Sequence, residues 1–455
     1  MATDSNHTFD VIVLGLGPGG EHVAGSLAER GLRVLGVDRR LVGGECPYWG
    51  CIPSKMMIRA ADALAEARRV DGLAGSVGEV TPDWSVVATR IREEATDNWD
   101  DKVAVDRLTD KGATFVRGTG RIAGPGRVDV DGTAYTATRG IVVNTGTTAA
   151  VPPVEGLRDT PYWTNHEIIE TPELPASLIV LGGGAIGCEL SQVMARFGVD
   201  VTIVEAADRI LALEEPEASA ALQQALEADG ITVRQGLGAD KVTHDGSAFT
   251  VTLADGSTLT AEKLLVATGR RADPAAVGLD TVGVAKDART APVDDRCRVT
   301  DGVWAVGDIT GKGAFTHVSM YQAGVVIRDV LGDDGPPAEY AALPRVTFTD
   351  PEVGAVGMTE AQAREQLTDV RVGLTPLGET TRGWIARADG LIKVVADADR
   401  GVLVGATTMG PAGGEVLGAL AVAVHGEVPI DRLRSMIYAY PTLHRGIEDA
   451  LGRLA

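Results

Sequence analysis

One βαβ pattern occurs twice in this chain, and the repetition constrains the fold more than any other feature of the sequence. In the first copy, an apolar strand over residues 9–14 leads into a glycine-rich turn, a helix over 21–30 and a strand over 33–37. The second copy repeats this order between residues 178 and 204. Such units predict two dinucleotide-binding domains in a protein of the α/β class.

Each turn has the spacing G-x-G-x-x-G, with an acidic residue 18 positions after the last glycine. The first glycine makes a tight turn, the second lets the backbone approach a pyrophosphate at the helix N-terminus, and the third lets the helix pack on the strand. The acidic residue accepts a hydrogen bond from a ribose hydroxyl. A glycine-rich turn in an ordinary α/β domain is the alternative, but two copies offset by the same 167 residues disfavour it. The predicted cofactor-binding residues are Gly15, Gly17, Gly20 and Asp38, and Gly182, Gly184, Gly187 and Glu205.

Glu205 also indicates which nicotinamide coenzyme binds. A carboxylate at this position accepts a hydrogen bond from a ribose 2′-hydroxyl and repels a 2′-phosphate. Ala206 and Ala207 follow it, and Arg209 is the nearest basic residue. The sequence therefore favours NADH over NADPH.

Outside the two copies, the pattern predicts further helices and strands, and the 455-residue length predicts about three domains of roughly 150 residues. We expect helices over 55–69 and 83–111, strands within 113–143, a β-meander over 240–266 and a loop at 332–337.

The charge and the apolar content exclude several classes of partner. The net charge of −21 disfavours nucleic acid and anionic membranes, because an acidic surface repels phosphates. No apolar run approaches the ~18 residues that a transmembrane helix needs. The polar N-terminal segment lacks the apolar core of a signal peptide, so we expect a cytoplasmic location.

Two of the four cysteines, Cys46 and Cys51, stand five residues apart just after the first βαβ unit. Four cysteines in a chain of this length exclude a disulfide scaffold, and a cytosolic pair is more often catalytic or metal-binding than structural. Zinc would need two further ligands, and no second Cys/His cluster offers them. A redox-active pair is therefore favoured over a metal site or two inert thiols, while Cys188 and Cys297 are expected to be buried thiols.

Residues 43–55 (GGECPYWGCIPSK) resemble the active-site segment of the FAD-dependent pyridine nucleotide–disulfide oxidoreductases. Further segments resemble other motifs of that family in the family's order, and the resemblance covers nearly the whole chain. These segments are 144–146 (NTG), 267–270 (ATGR), 300–308 (TDGVWAVGD) and 348–360 (FTDPEVGAVGMTE).

The resemblance implies an electron path from NAD(P)H through FAD to the cysteine pair. Cys51 would be the thiol beside the flavin, and Cys46 would exchange with the substrate. Lys55 would lie near flavin N5 and pair with Glu189, although a surface lysine and a helix-terminal carboxylate are the alternative. Asp308 would bind the ribityl chain. The other cofactor-binding residues that the resemblance implies are Gly44, Thr145, Gly146, Gly269 and Gly307.

The resemblance also implies a domain order and a homodimer with an active site shared between subunits. The FAD-binding domain would occupy 1–150 and continue as a central segment over 273–342. The NAD(P)H-binding domain would occupy 151–272, and the dimerisation domain 343–455.

The C-terminal region departs from the family pattern. Disulfide reductases of the family carry a His–Glu pair that acts as acid–base catalyst for the partner's thiol, and here Tyr440 and Arg445 take those two positions. Mercuric reductases share the tyrosine but carry a C-terminal cysteine pair, which this sequence does not show. His444 and Glu448, four residues apart, would form either a displaced dyad or an ion pair on the surface of a helix. We expect His444→Ala to impair disulfide reduction less than loss of Cys51.

The residues around the cysteines also differ from the family. Trp49 would either stack on a flat acceptor such as a quinone or pack in the core. Glu45 would raise the pKa of the neighbouring Cys46 thiol. The sequence thus predicts an oxidoreductase with a small-molecule acceptor: a disulfide, a quinone or mercuric ion. Dihydrolipoamide oxidation is disfavoured because it needs a base where Tyr440 stands. A non-catalytic flavoprotein that senses NADH is the alternative from another class.

Overall fold

The structure is a computed structural model, and it describes residues 7–455. The segment in which we expected no signal peptide lies outside the described residues, except for His7. The chain divides into two compact units. The first contains the residues up to Ser54, Ala88–Ala150 and Arg270–Glu339, and the second contains Lys55–Val87, Val151–Gly269 and Tyr340–Ala455.

The described residues contain 22 strands. The strands are β1 (Thr8–Leu14), β2 (Val34–Asp38), β3 (Thr114–Arg117), β4 (Gly120–Gly124), β5 (Arg127–Val130), β6 (Thr133–Val143), β7 (Thr148–Ala149), β8 (Ser177–Leu181), β9 (Asp200–Glu205), β10 (Thr232–Gln235), β11 (Ala239–His244), β12 (Phe249–Leu253), β13 (Thr258–Ala261), β14 (Lys263–Val266), β15 (Arg270–Arg271), β16 (Arg298–Thr300), β17 (Val303–Ala305), β18 (Pro344–Thr347), β19 (Glu352–Gly357), β20 (Val370–Pro376), β21 (Leu391–Asp397) and β22 (Val402–Gly410).

The helices connect these strands or cover the sheets. They are α1 (Pro18–Glu29), α2 (Glu45–Tyr48), α3 (Cys51–Arg69), α4 (Trp84–Arg90), α5 (Lys102–Asp110), α6 (Asn165–Glu170), α7 (Ala185–Arg196), α8 (Pro216–Ala228), α9 (Thr316–Leu331), α10 (Glu360–Gln366), α11 (Thr381–Ala386), α12 (Gly413–His425), α13 (Ile430–Arg434) and α14 (Gly446–Gly452). A π-helical segment spans Ile91–Ala95, and 3₁₀ turns lie at Leu157–Asp159, Leu279–Val282, Gly307–Thr310 and Leu377–Glu379.

The first unit is built on a sheet in the order β16-β17-β6-β1-β2-β3, with β4 and β5 joined to β6 as an antiparallel extension. Strands β17, β6, β1, β2 and β3 run parallel. The central strand β1 is apolar on both faces because parallel sheets are covered on both sides, and Val11 to Leu14 are at most 1% exposed. The first glycine turn therefore begins at the carboxyl end of a rigid, buried strand.

The second unit contains three sheets. A parallel sheet in the order β10-β9-β8-β14 carries the second glycine turn at the end of β8, and β11, β12 and β13 form an antiparallel meander beside it. The C-terminal residues form an antiparallel sheet in the order β18-β19-β22-β21-β20. Its core includes apolar residues of α12 and α14.

The structure confirms both predicted βαβ units, although α1 begins at Pro18 rather than at residue 21. Two other expectations are wrong. The predicted helix over 83–111 is interrupted, because Asp97, Asn98 and Trp99 all have positive φ and a right-handed helix cannot continue through them. The meander ends at β13, and the apolar strand β14 pairs in parallel with β8 instead. Among residues 7–455, no helix is long and apolar enough to cross a membrane.

Candidate functional site

The first glycine turn leaves space for a ligand at the N-terminus of α1. A Cβ on Gly15 would lie 2.4 Å from the Asn144 carbonyl oxygen, and a Cβ on Gly20 would lie 2.0 Å from the Gly15 carbonyl oxygen. At Gly17, the residue that precedes the helix, the nearest atom is a side-chain oxygen at 3.3 Å. The outer glycines thus serve close packing, and Gly17, whose surroundings are less crowded, is where the backbone can approach an anion at the helix N-terminus.

Two side chains hold this turn in place. Asp38 at the end of β2 accepts a hydrogen bond from the Leu16 amide at 2.7 Å. Asn144, which is buried at the end of β6, accepts one from the Gly20 amide at 2.8 Å and donates one to the Val306 carbonyl. Asn144 was not among the predicted site residues, although it opens one of the motifs that carry the resemblance.

The second turn repeats this geometry. A Cβ on Gly182 would lie 2.5 Å from the Ala267 carbonyl oxygen, one on Gly187 would lie 2.0 Å from the Gly182 carbonyl oxygen, and one on Gly184 would meet nothing within 4 Å. The site beside Gly184 is therefore open for a pyrophosphate at the N-terminus of α7.

Glu205, at the end of β9, faces this second turn. Its two carboxylate oxygens accept hydrogen bonds from the Gly183 amide at 2.6 Å and the Ala207 amide at 2.7 Å. The guanidinium of Arg209 donates to the carbonyl oxygens of Leu211 and Ala212. The Glu205 carboxylate is thus held at the turn, while the Arg209 guanidinium is hydrogen-bonded to backbone carbonyl groups.

The remaining predicted cofactor residues belong to the first unit, except Gly269, which is the last residue of a segment of the second unit. Asp308 accepts a hydrogen bond from the Thr147 hydroxyl at 2.8 Å, and Arg270 donates to the same hydroxyl at 2.8 Å. Sequence reasoning missed both partners. Left-handed backbone at Gly146, Gly269 and Gly307 explains the glycines of these motifs, and Thr145 is exposed beside Gly146.

The segment before the cysteine pair packs against the first glycine turn. The Gly43 amide donates to the Leu16 carbonyl oxygen at 2.7 Å. Gly44 has a φ of +69°, and a Cβ there would lie 2.8 Å from the Cα of Gly17. The structure therefore brings Gly44 and the turn together, and the chain enters α2 from this contact.

The two cysteines have unequal environments. The Cys51 sulfur lies 3.3 Å from the hydroxyl oxygen of Thr316, which is the first residue of the sixteen-residue helix α9. A helix N-terminus and a hydroxyl group both favour a thiolate. The side-chain hydrogen bond with Cys51, together with burial, raises the pKa of the Cys46 thiol, and the Thr316 hydroxyl offsets only part of this rise. These contacts favour the protonated form of Cys46. Nothing in the sequence signalled Thr316.

Glu45 was predicted to raise the pKa of the Cys46 thiol, but the main causes of its raised pKa are Cys51 and burial. The Glu45 carboxylate lies 3.5 Å from a guanidinium nitrogen of Arg270 and 3.7 Å from one of Arg40, so its charge is balanced by cations. The Tyr48 ring is buried, and its centroid is 5.9 Å from that of the half-buried Trp49. Stacking of Trp49 on an acceptor stays a prediction.

The predicted pair of Lys55 and Glu189 is present in the second unit. The Lys55 ammonium donates to a Glu189 carboxylate oxygen at 2.9 Å, and the other oxygen accepts from the Phe348 amide at 2.8 Å. Glu189 is buried on α7, while the Lys55 side chain is 36% exposed. The Lys55 ammonium also lies 4.6 Å from the centroid of the Phe348 ring. Phe348 belongs to a recognised motif, but its contact with Lys55 was not foreseen.

The proposed dyad of His444 and Glu448 is not formed. Residues 436–445 are irregular and α14 begins only at Gly446, because Pro441 cannot supply a helical amide. Glu448 pairs instead with Arg445 at 3.0 Å, so the expected helix-surface ion pair with His444 is also wrong. Tyr440 is 66% exposed, and its hydroxyl donates to that of Thr381 at 3.4 Å.

The other two cysteines are buried, as predicted. The Cys188 sulfur donates to the Gly183 carbonyl oxygen at 3.3 Å, and burial raises the pKa of this thiol. Cys297 packs in the core of the first unit. No group of three or more His, Cys, Asp or Glu residues within 7–455 has the arrangement of a metal site.

Comparison with known proteins gives two matches to protein families. Residues 9–323 match the family described as pyridine nucleotide-disulphide oxidoreductase, and residues 343–451 match its dimerisation domain. Among curated relatives, a dihydrolipoyl dehydrogenase of Chlorobaculum tepidum is 33% identical over 97% of this chain and 96% of its own length. A mercuric reductase of Bacillus cereus is 30% identical over 98% of this chain and 72% of its own length.

Solved structures with the same fold cover almost the full length. The HOCl-induced flavoprotein disulfide reductase RclA of Escherichia coli has a TM-score of 0.84 and is 26% identical over 97% of this chain and 99% of that chain. LpdA of Mycobacterium tuberculosis has a TM-score of 0.85 and is 25% identical over 97% of this chain and 99% of that chain.

Proposed function

The chain belongs to the pyridine nucleotide-disulphide oxidoreductase family, and from that premise we propose which residues carry its chemistry and which acceptor it serves. As a member, it is an FAD-dependent enzyme that passes electrons from NAD(P)H through FAD to a redox-active disulfide. We assign that disulfide to Cys46 and Cys51. The observation that supports this most is the asymmetric environment of the pair, with the Cys51 sulfur beside Thr316 at the N-terminus of α9.

The first glycine turn fits FAD. Gly17 exposes the N-terminus of α1, and Asp38 is held at the turn, where it would meet a ribose hydroxyl. Asp308, fixed by Thr147, would bind the ribityl chain. When bound, FAD supplies the two-electron chemistry that links hydride transfer to disulfide reduction. The residues of the chain hold it and set the protonation of the thiols.

In this proposal the two thiols have different tasks. Cys51 carries the thiolate, since the Thr316 hydroxyl and the positive end of α9 stabilise its negative charge. Cys46 keeps its proton because of its hydrogen bond with Cys51, and it exchanges with the acceptor once that proton leaves. Tyr440 and His444 of the partner subunit are the proposed groups near the acceptor.

We further propose that NADH is the preferred coenzyme. Glu205 is held by the Gly183 and Ala207 amides, so its remaining lone pairs can accept from ribose hydroxyls. Arg209 donates to backbone carbonyl groups and does not supply a phosphate-binding cation by itself.

The dimerisation domain supports a homodimer, and we propose that the active site is shared between its subunits. The proposed domain order is FAD-binding over 1–150 and 273–342, NAD(P)H-binding over 151–272 and dimerisation over 343–455. The acceptor is a small-molecule disulfide in this proposal, and the proposed location is the cytoplasm. A quinone is the second candidate acceptor, because residues 440–448 form no His–Glu dyad and quinone reduction needs none.

One experiment tests the function and the acceptor together. NADH and NADPH oxidation is followed with a panel of disulfides, quinones and Hg(II), in the wild type and in Cys46→Ser. If Cys46→Ser loses activity with the disulfides and with no other acceptor, a disulfide is the acceptor. If the variant still reduces quinones, electrons pass to the quinone directly from the flavin. Two-electron reduction should produce a broad absorbance band beyond about 520 nm in the wild type. A flavin that stays oxidised with both coenzymes would refute the proposal.

A further inference from the structure

Helix α7 carries three buried polar side chains on one face. Glu189, Gln192 and Arg196 follow one another at spacings of three and four residues, which places them on one side of a helix. None of the three is more than 6% exposed. Buried polar groups are costly unless they are paired, and all three pair with residues 348–350 in the hairpin turn between β18 and β19. We call these residues the hairpin tip.

Asp350, at one end of the hairpin tip, is held through both its backbone and its side chain. The Gln192 amide oxygen accepts from the Asp350 amide at 2.7 Å, and its amide nitrogen donates to the Asp350 carbonyl oxygen at 2.8 Å. Arg196 donates to the Asp350 carboxylate at 2.7 Å. Burial alone would raise the pKa of Asp350, but its hydrogen bond with Arg69 and the charge of Arg196 lower it overall. Asp350 is therefore a fixed carboxylate.

Arg196 is itself held by two further carboxylates. It donates to Asp62 on α3 at 2.8 Å and to Asp229, after α8, at 2.9 Å, and its side chain is 2% exposed. This guanidinium thus joins α3, α7 and the hairpin tip. Asp62 lies two helical turns after Lys55 on α3, so the same network also anchors the helix that carries Lys55.

Phe348, at the other end of the hairpin tip, contacts both members of the Lys55–Glu189 pair. Its amide donates to Glu189, and its ring lies below the Lys55 ammonium. A lysine side chain has about 2 kcal/mol of rotamer entropy, so one ion pair fixes its ammonium poorly. The carboxylate and the aromatic face together restrict the ammonium to one place.

We propose that Gln192 and Arg196 are positioning residues for Lys55. By holding Asp350 they place Phe348, two residues earlier, against the Lys55–Glu189 pair. This inference rests on the proposed function and, within it, on the place near flavin N5 that the resemblance to the family implies for Lys55. It predicts that changes at Gln192, which touches neither Lys55 nor the reacting groups, will move the Lys55 ammonium.

The position of the ammonium can be measured without turnover. In the holoenzyme, lysines are reductively methylated with ¹³C, and the methyl signal of Lys55 is assigned by its loss in Lys55→Arg. The ring current of Phe348 should shift this signal upfield, and Phe348→Leu calibrates the full effect. We expect Gln192→Leu and Arg196→Lys to lose most of the upfield shift, and to lower kcat about tenfold with KM for NADH unchanged, since small misplacements cost up to 10²-fold in rate.

Lys393→Met is the matched control. Lys393 is also a buried cation bound to three carboxylates in the second unit, but it contacts neither α7 nor the hairpin tip. It should lose as much stability as Arg196→Lys or more, and yet keep the Lys55 signal. The proposed positioning would be overturned if the Lys55 methyl signal of Gln192→Leu matched that of the wild type. It would also be overturned if Lys393→Met shifted this signal as much as Gln192→Leu does. Lys55→Met with an unchanged kcat would instead overturn the expected role of Lys55 near the flavin, and a flavin that stays oxidised with both coenzymes would overturn the proposed function, so the failures are distinguishable.

Discussion

Removal of the Glu205 carboxylate should weaken the discrimination between NADH and NADPH. Each carboxylate oxygen already accepts one backbone amide, at 2.6 Å from Gly183 and 2.7 Å from Ala207. The side chain is therefore fixed before a coenzyme binds, and little ordering is lost when a ribose hydroxyl donates to it. The change to test is Glu205→Ala, with Glu205→Gln as a variant that keeps one acceptor oxygen.

The size of the effect follows from the charge of the acceptor. A hydrogen bond to a charged group contributes about 1.5–3 kcal/mol, which corresponds to about 10- to 150-fold in kcat/KM. NADPH does not gain this bond, and the carboxylate repels its 2′-phosphate. Glu205→Ala should therefore lower kcat/KM for NADH by about 10- to 150-fold, while kcat/KM for NADPH stays constant or rises.

The assay measures kcat/KM for both coenzymes under matched conditions of salt and acceptor. Asp208→Asn is the control, because it changes the net charge equally on the same loop and its side chain is exposed. Thermal unfolding verifies that the turn survives when the two amides lose their acceptor. A wild type that prefers NADPH, or a ratio of coenzymes that is the same in Glu205→Ala and Asp208→Asn, would refute the reasoning.

Three further predictions concern the thiols, the C-terminal segment and the buried charges. Cys51→Ser should abolish the absorbance band beyond about 520 nm and reduce disulfide turnover to background, whereas Cys46→Ser should keep a band and lose only disulfide turnover; a band in Cys51→Ser would contradict the assignment. His444→Ala should lower disulfide turnover by less than the 10²-fold that loss of an acid–base catalyst costs. If His444→Ala and Cys51→Ser lose equal turnover in parallel kinetic measurements, His444 is a catalytic residue after all. Lys393→Met should lower the free energy of unfolding by about 3–5 kcal/mol in urea titrations, because it leaves the buried Glu215 carboxylate without its cation. The hydrogen bond from Lys393 lowers the pKa of Glu360 from its usual value. The stabilisation from this pair is therefore present above the pKa of the unfolded chain and is lost as the pH falls through the lowered pKa of the folded protein, so the wild type should lose more stability in acid than Lys393→Met does.

The two nucleotide turns could be predicted from the sequence because their determinants are local. Strand, glycine spacing and helix follow within about twenty residues, and the close approach at Gly20 is to the Gly15 carbonyl oxygen, which the turn itself contributes. The cysteine pair and the lysine–glutamate pair were recognised through motifs. By contrast, the predicted helix over 83–111 and the helical face through His444 and Glu448 were wrong, since apolar periodicity does not register left-handed residues or the effect of Pro441.

Taken by itself, the sequence determined the α/β class, the duplicated turn, the acidic residue after each turn and a pair of closely spaced cysteines. The tertiary structure decided which side chains surround those residues. It placed Thr316, 265 residues from Cys51, beside that sulfur, and it set Phe348 against Lys55. Such contacts join strands and helices that are distant in the chain, and they arise from packing between elements, which no local spacing encodes.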